Sequence, residues 1–172
     1  MSGSESTGGL DTAKRVSSLT SPMVIRALAK QGVGRAVEVE VGEHVVRSDL
    51  PVSRGGTDSA ASPGHLMRAA VAACLLMSYK ACAAELGIPI EEVEIDLTTE
   101  HRANTDNGIG YGAVGWRRIR WNVRLTSTAS DSEIALMLVR AERQSPMLAT
   151  IDSICERVRT FQVRRPSSRP AR

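Results

Sequence analysis

Residues 63–86, PGHLMRAAVAACLLMSYKACAAEL, constrain the fold more than any other stretch of this chain. Ser62 before Pro63 is a helix-start signal, an N-cap residue followed by proline at the first helical position. Gly87, with Pro89 just beyond, is a stop. The segment therefore reads as one helix, and around its middle it is apolar on nearly every side. A helix of that kind is buried rather than laid on a surface. The chain has 172 residues, 42% of them hydrophobic but only 3% aromatic, so its core must be built from Ala, Val, Leu, Ile and Met. One small sheet cannot cover such a helix on all sides, and a second copy of the chain is the expected cover, giving a homodimer. Ala69 to Met77 is the longest uninterrupted apolar run, short of the roughly 18 residues that span a bilayer. The opening MSGSESTGG lacks the apolar region of a secretory signal. These features predict a soluble, cytoplasmic protein with no membrane partner.

The rest of the chain alternates. In RAVEVEVGEHVVRSD, Val37, Val39 and Val41 share one face and Glu38 and Glu40 the other, before a turn at Gly42 and a return through Val45 and Val46, which is a β-hairpin by its period of two. SRGGTDSAASPG is a loop. EEVEIDLTTEHRA and GWRRIRWNVRLTS alternate with Val93, Ile95 and Leu97 in one and Ile119, Trp121, Val123 and Leu125 in the other, predicting half-buried antiparallel strands joined by the connection NTDNGIGYG. SDSEIALMLVRAERQ starts a second helix, with Ser130 and Glu133 in the capping-box pattern and Ile134, Leu138 and Ala141 as its apolar stripe. SPMLATIDSI is a turn or short helix, and RVRTFQVRR a last strand. The predicted organisation is a polar, disordered tail over residues 1–20, one α+β domain over 21–165, and a basic flexible tail over 166–172.

Residues 156–172 carry six arginines against one glutamate. Without interleaved aromatic residues or a recognisable binding motif, this charge reads as a solvated strand face and tail, and no nucleic-acid partner is expected. Trp116 and Trp121 read as core or dimer contacts rather than a cofactor box. GIGYG lacks the flanking strand and helix of a nucleotide loop, and no metal-ligand cluster stands out, so neither a cofactor nor a metal is expected.

Three cysteines without a CxxC argue against a disulfide framework and a structural zinc site. Cys74 lies in the middle of the apolar helix. Residue type and spacing leave it open between a small core residue and a nucleophile. Cys82 is eight residues along the same helix, about 12 Å away, too far to bridge to Cys74. Tyr79 and Lys80 break the apolar run and mark either a subunit boundary or a pocket rim. His65 at the helix start is a candidate base or hydrogen-bond donor, or a half-solvated terminal histidine. Arg68 is a candidate for stabilising a Cys74 thiolate, but it lies about 120° around the helix and fits equally a partner carboxylate or solvent.

GGTDSAASPGHLMRAAVAACLLMS resembles the signature of the OsmC/Ohr family, the osmotically inducible and organic-hydroperoxide-resistance proteins. The likeness extends over roughly residues 34 to 163, through GEHVVRSDLP, GIPIEEVEIDLTTE and SDSEIALMLVRAERQSPMLATI. It implies an α+β, OsmC-like fold, a long buried central helix wrapped by antiparallel sheets in an intertwined homodimer. It also implies a peroxidatic role for Cys74: a thiolate that attacks an organic hydroperoxide and becomes a sulfenic acid. An activating arginine is matched by Arg35 in the N-terminal strands. The chain departs from the family pattern twice. Ser145, in RQSPML, stands where the resolving cysteine would be, and Gly64 where an activating glutamate would be. The implied activity is a one-cysteine peroxidase served by an external thiol; a variant of it uses Cys82 or Cys155 as a substitute resolving thiol, and the alternative is a noncatalytic member binding a small apolar ligand, with Cys74 as packing.

Overall fold

The computed structural model of the chain describes residues 24–101, 115–152 and 155–166. The expected tail over residues 1–20, most of the tail over 166–172, and the NTDNGIGYG connection lie outside them. The chain divides into two compact units between Ala60 and Ala61.

The N-terminal unit is an antiparallel sheet in the order β1-β2-β3, with β1 at Ala27–Gln31, β2 at Val37–Val41 and β3 at His44–Ser48. The β2-β3 pair is the predicted hairpin, with Val39 opposite Val46 and Val41 opposite His44, and Gly42 supplies the positive φ of 60° at its turn. Strand β1 was not foreseen; its ALAKQ has no polar/apolar alternation, and it is held by register against β2, Ala29 opposite Val39. The SRGGTDS loop is organised by Asp49, which is buried. Its Oδ2 accepts from the backbone N–H of Thr57 and Ser59 and from both hydroxyls, at 2.7 to 3.1 Å, while Oδ1 accepts from Leu50 N–H. Those bonds hold the Asp49 carboxyl well below its usual range. Gly56 is required here, because a Cβ would lie 1.9 Å from the Leu50 carbonyl oxygen.

The second unit begins with α1, Pro63–Leu86, bounded by Ser62 and by Gly87 in the left-handed conformation, as its ends predict. Ser62 takes the N-cap position without a side-chain capping bond. Strands β4 (Glu92–His101), β5 (Trp116–Thr126) and β6 (Glu156–Arg164) form a sheet in that order, and α2 (Asp131–Gln144) and α3 (Pro146–Ile151) lie between β5 and β6 in sequence. Val93, Ile95 and Leu97 face Leu125, Val123 and Trp121 across the antiparallel β4-β5 pair. The β5-β6 pair is parallel, which corrects the expectation of antiparallel sheets. The two intervening helices return the chain to the end of the sheet where β5 began, as a parallel pair requires. The capping box is formed: Ser130 Oγ accepts from Glu133 N–H, and the Glu133 carboxylate accepts from Ser130 N–H at 2.8 Å.

The core joins Val71, Leu75 and Tyr79 of α1 to Ile119, Trp121 and Val123 of β5 and to Ile134, Met137, Leu138 and Ala141 of α2. Both tryptophans belong to it. Burial is one-sided, however. Helix α1 buries Val71, Leu75, Tyr79, Cys82 and Ala83, while Ala70, Ala73, Ala81 and Ala84 are exposed, with Met67 at 45% and Met77 at 69%. The expected all-round burial is therefore not met within one chain. By length and composition α1 could cross a membrane, a test that core helices of packed proteins also pass.

Candidate functional site

Cys74 is half-buried on α1, one position before the fully buried Leu75. Its sulfur meets the hydroxyl of Ser145, with Sγ and Oγ 3.4 Å apart across 71 residues of sequence. Ser145 is 1% exposed and occupies the junction of two helices: its N–H donates to the Glu142 carbonyl at the end of α2, and its Oγ accepts from Leu148 N–H as the N-cap of α3. Pro146 follows at the first helical position, where a missing N–H costs nothing. The dipeptide Ser-Pro thus fixes the hydroxyl against Cys74. Of the predicted site residues, these two are brought together.

Gly64 and Arg68 form a second pair. The Arg68 guanidinium donates to the Gly64 carbonyl at 3.0 Å and to Thr99 Oγ1 at 2.8 Å, and its Nη2 lies 2.9 Å from His101 Nε2. Arg68 therefore turns toward β4, and among the described residues its partners are a hydroxyl, a carbonyl and an imidazole rather than a carboxylate. A Cβ at position 64 would be 3.5 Å from Arg68 Nη1, an ordinary contact, so a side chain fits there. His65 is exposed on the first turn of α1. Arg35 lies in the β1-β2 turn of the N-terminal unit rather than in a strand, with its guanidinium near Gly55.

Sequence reasoning missed the polar group beneath this helix. Tyr79, read as a boundary or pocket-rim residue, is fully buried. Its hydroxyl donates to Glu142 Oε1 at 2.7 Å and accepts from Trp121 Nε1 at 3.0 Å, and Arg159 Nη1 donates to the same Glu142 oxygen at 3.1 Å. Burial, then the Glu142 carboxylate, push the Tyr79 phenol above the usual tyrosine range. The only signal was a hydroxyl-bearing ring inside an apolar helix, which demands a partner.

The other thiols are placed differently. Cys82 is 2% exposed in the core. Cys155 is half-buried, its thiol pushed upward by burial against a smaller opposing effect of Arg157, which disfavours its thiolate. It lines a cavity of about 770 Å³ with Trp121, Glu142, Arg143, Arg157 and Arg159, a lining that includes neither Cys74 nor Ser145.

The site is thus an α+β unit presenting a half-buried cysteine from a long helix to the junction of two others. The OsmC-like protein family matches residues 56–156, which is more than half of the chain, and the chain belongs to that family. No curated protein matches the sequence. Among solved structures, an OsmC-like protein from Mycoplasma pneumoniae is similar with a TM-score of 0.70 at 17% identity, over 82% of this chain and 97% of that one. An organic hydroperoxide resistance protein OsmC from Legionella pneumophila gives 0.64 at 19%, over 84% and 100%. One from Elizabethkingia anophelis with crystallant-derived thiocyanate bound gives 0.66 at 18%, over 84% and 99%. At these identities the likeness establishes the OsmC-like α+β fold.

Proposed function

We propose that the protein reduces organic hydroperoxides through Cys74 alone, at the expense of an external small thiol, as a homodimer in the cytoplasm. The contact between Cys74 Sγ and Ser145 Oγ, 3.4 Å, carries this reading, because it sets a reachable sulfur beside a polar group at the family's second-cysteine position. The names of the Legionella and Elizabethkingia structures supply the substrate class.

In this reaction the Cys74 thiolate attacks the terminal oxygen of the hydroperoxide. The O–O bond breaks, an S–O bond forms, and the departing alkoxide takes a proton to become an alcohol, leaving Cys74 as a sulfenic acid. Ser145 has no sulfur with which to close a disulfide. One external thiol condenses with the sulfenic acid, releasing water and leaving a mixed disulfide; a second displaces it, returning the Cys74 thiol and an external disulfide. Buried Cys82 and Cys155, with its raised thiol, are poorly suited to replace that external reductant. Arg35 is the candidate activating cation, and His65 and Arg68 the polar groups at the head of the helix.

The exposed Met67, Ala70, Ala73 and Met77 of α1 support the dimer, since this apolar row is the face that the helix leaves uncovered. The test of the activity is hydroperoxide consumption with a small thiol in excess. Wild type should turn over repeatedly and Cys74→Ser should not. Equal consumption by both proteins would favour the noncatalytic, ligand-binding reading.

A further inference from the structure

We propose that Ser145 is a positioning residue for the Cys74 thiolate, a role that rests on Cys74 being the nucleophile and gives the residue at the resolving position a different function. Ser145 is 1% exposed, so water competes little for its hydroxyl. One oxygen lone pair is committed to Leu148 N–H at 3.3 Å, the N-cap bond of α3. The hydroxyl proton remains, and the Cys74 sulfur lies 3.4 Å away, within the longer reach of a bond to sulfur. An ionised sulfur has no proton to give. Once Cys74 is a thiolate, the bond can run only from Ser145 to the sulfur, and a hydrogen bond to a charged acceptor is worth more than one to its neutral form. The contact therefore favours ionisation and fixes the sulfur's orientation at once. Cys74 gains a donor from the very position that cannot resolve it, which couples the absence of the second cysteine to retention of a reactive first one.

The proposal is tested by alkylating the full-length protein with iodoacetamide across a pH series and locating the adducts on Cys74, Cys82 and Cys155 by mass spectrometry. Ser145→Ala should slow Cys74 alkylation about ten-fold on the acidic limb and move its rate profile to higher pH, while Ser145→Thr, which keeps the hydroxyl, should restore most of it. Cys82 and Cys155 should be unaffected. Ser145→Gly removes the donor while remaining an acceptable N-cap and should behave like the alanine variant, so a failure of either variant to fold leaves the other to decide. An unchanged Cys74 profile in the folded variants would overturn the proposal, as would a uniform rise at all three cysteines, which would show the hydroxyl to be a packing element. Since alkylation involves no peroxide, a slowed variant of a wild type inactive toward hydroperoxides would retain the Ser145 role and remove the peroxidase reading. The converse result would remove only the Ser145 role.

Discussion

The hydroxyl of the fully buried Tyr79 donates to Glu142 Oε1 at 2.7 Å, tying α1 to the last turn of α2. Tyr79→Phe removes this bond and leaves Trp121 Nε1 without its acceptor, and it should cost about 1 to 3 kcal/mol, the range for stranding a buried polar group. Urea unfolding at neutral pH checks it, through a lower midpoint at unchanged slope.

The same hydroxyl should set an alkaline limit. Its ionisation is raised in the folded state, so above about pH 10 the unfolded chain releases a proton that the native state still holds, and the balance shifts toward unfolding. The Tyr79 contribution is present in full below that point and is lost as pH rises further. Urea midpoints measured at pH 9 and pH 11 should fall more steeply for wild type than for Tyr79→Phe.

Asp49 should behave in the opposite sense. Its carboxyl is held below the usual range by Thr57 and Ser59, so its contribution is present above about pH 4 and is lost as pH falls toward the depressed folded value. Hydrogen-exchange protection over residues 49–59, taken relative to the intrinsic rate at each pH, should fall on acidification in wild type. Asp49→Asn should show fast exchange in that loop already at pH 7.

Much of this was written in the sequence, and what was not has physical reasons. The ends of α1 and the capping box of α2 were legible because Ser62, Pro63, Gly87, Ser130 and Glu133 act on neighbours within a turn. The faces of β4 and β5 were legible through their period of two. Strand β1, the parallel seating of β6 and the five-bond node at Asp49 depend on partners brought close only by folding. Cys74 and Ser145 were each identifiable from resemblance, yet their contact joins positions 71 residues apart, and no local pattern encodes it. Arg68 shows the limit of helical-wheel reasoning. Besides the Gly64 carbonyl one turn back, its partners are Thr99 and His101 of β4, which the wheel of α1 does not contain.

Gly64 offers a stabilising substitution. Gly64→Glu places a carboxylate in the first turn of α1, beside an arginine with no carboxylate partner among the described residues, and its Cβ meets Arg68 Nη1 at an ordinary 3.5 Å. Replacing a helical glycine and adding an acid at a helix N-terminus should together raise stability by about 1 to 2 kcal/mol, seen as a higher thermal midpoint.

Met77, 69% exposed, is the place to test the proposed dimer face. Sedimentation velocity should find wild type at twice the 18.5 kDa chain mass and Met77→Glu shifted toward the monomer, because a buried, unpaired carboxylate opposes association. A dimer unaffected by Met77→Glu would place the interface elsewhere.

The central claim is that Cys74 is a working thiolate. The most direct measurement gives reduced protein one equivalent of an organic hydroperoxide, traps sulfenic acid with dimedone at successive times, and maps the adduct by mass spectrometry. Rapid, selective modification of Cys74 with Cys82 and Cys155 left as thiols is the predicted result. Slow oxidation spread over all three cysteines would contradict the account, leaving Cys74 as a packed thiol on the central helix.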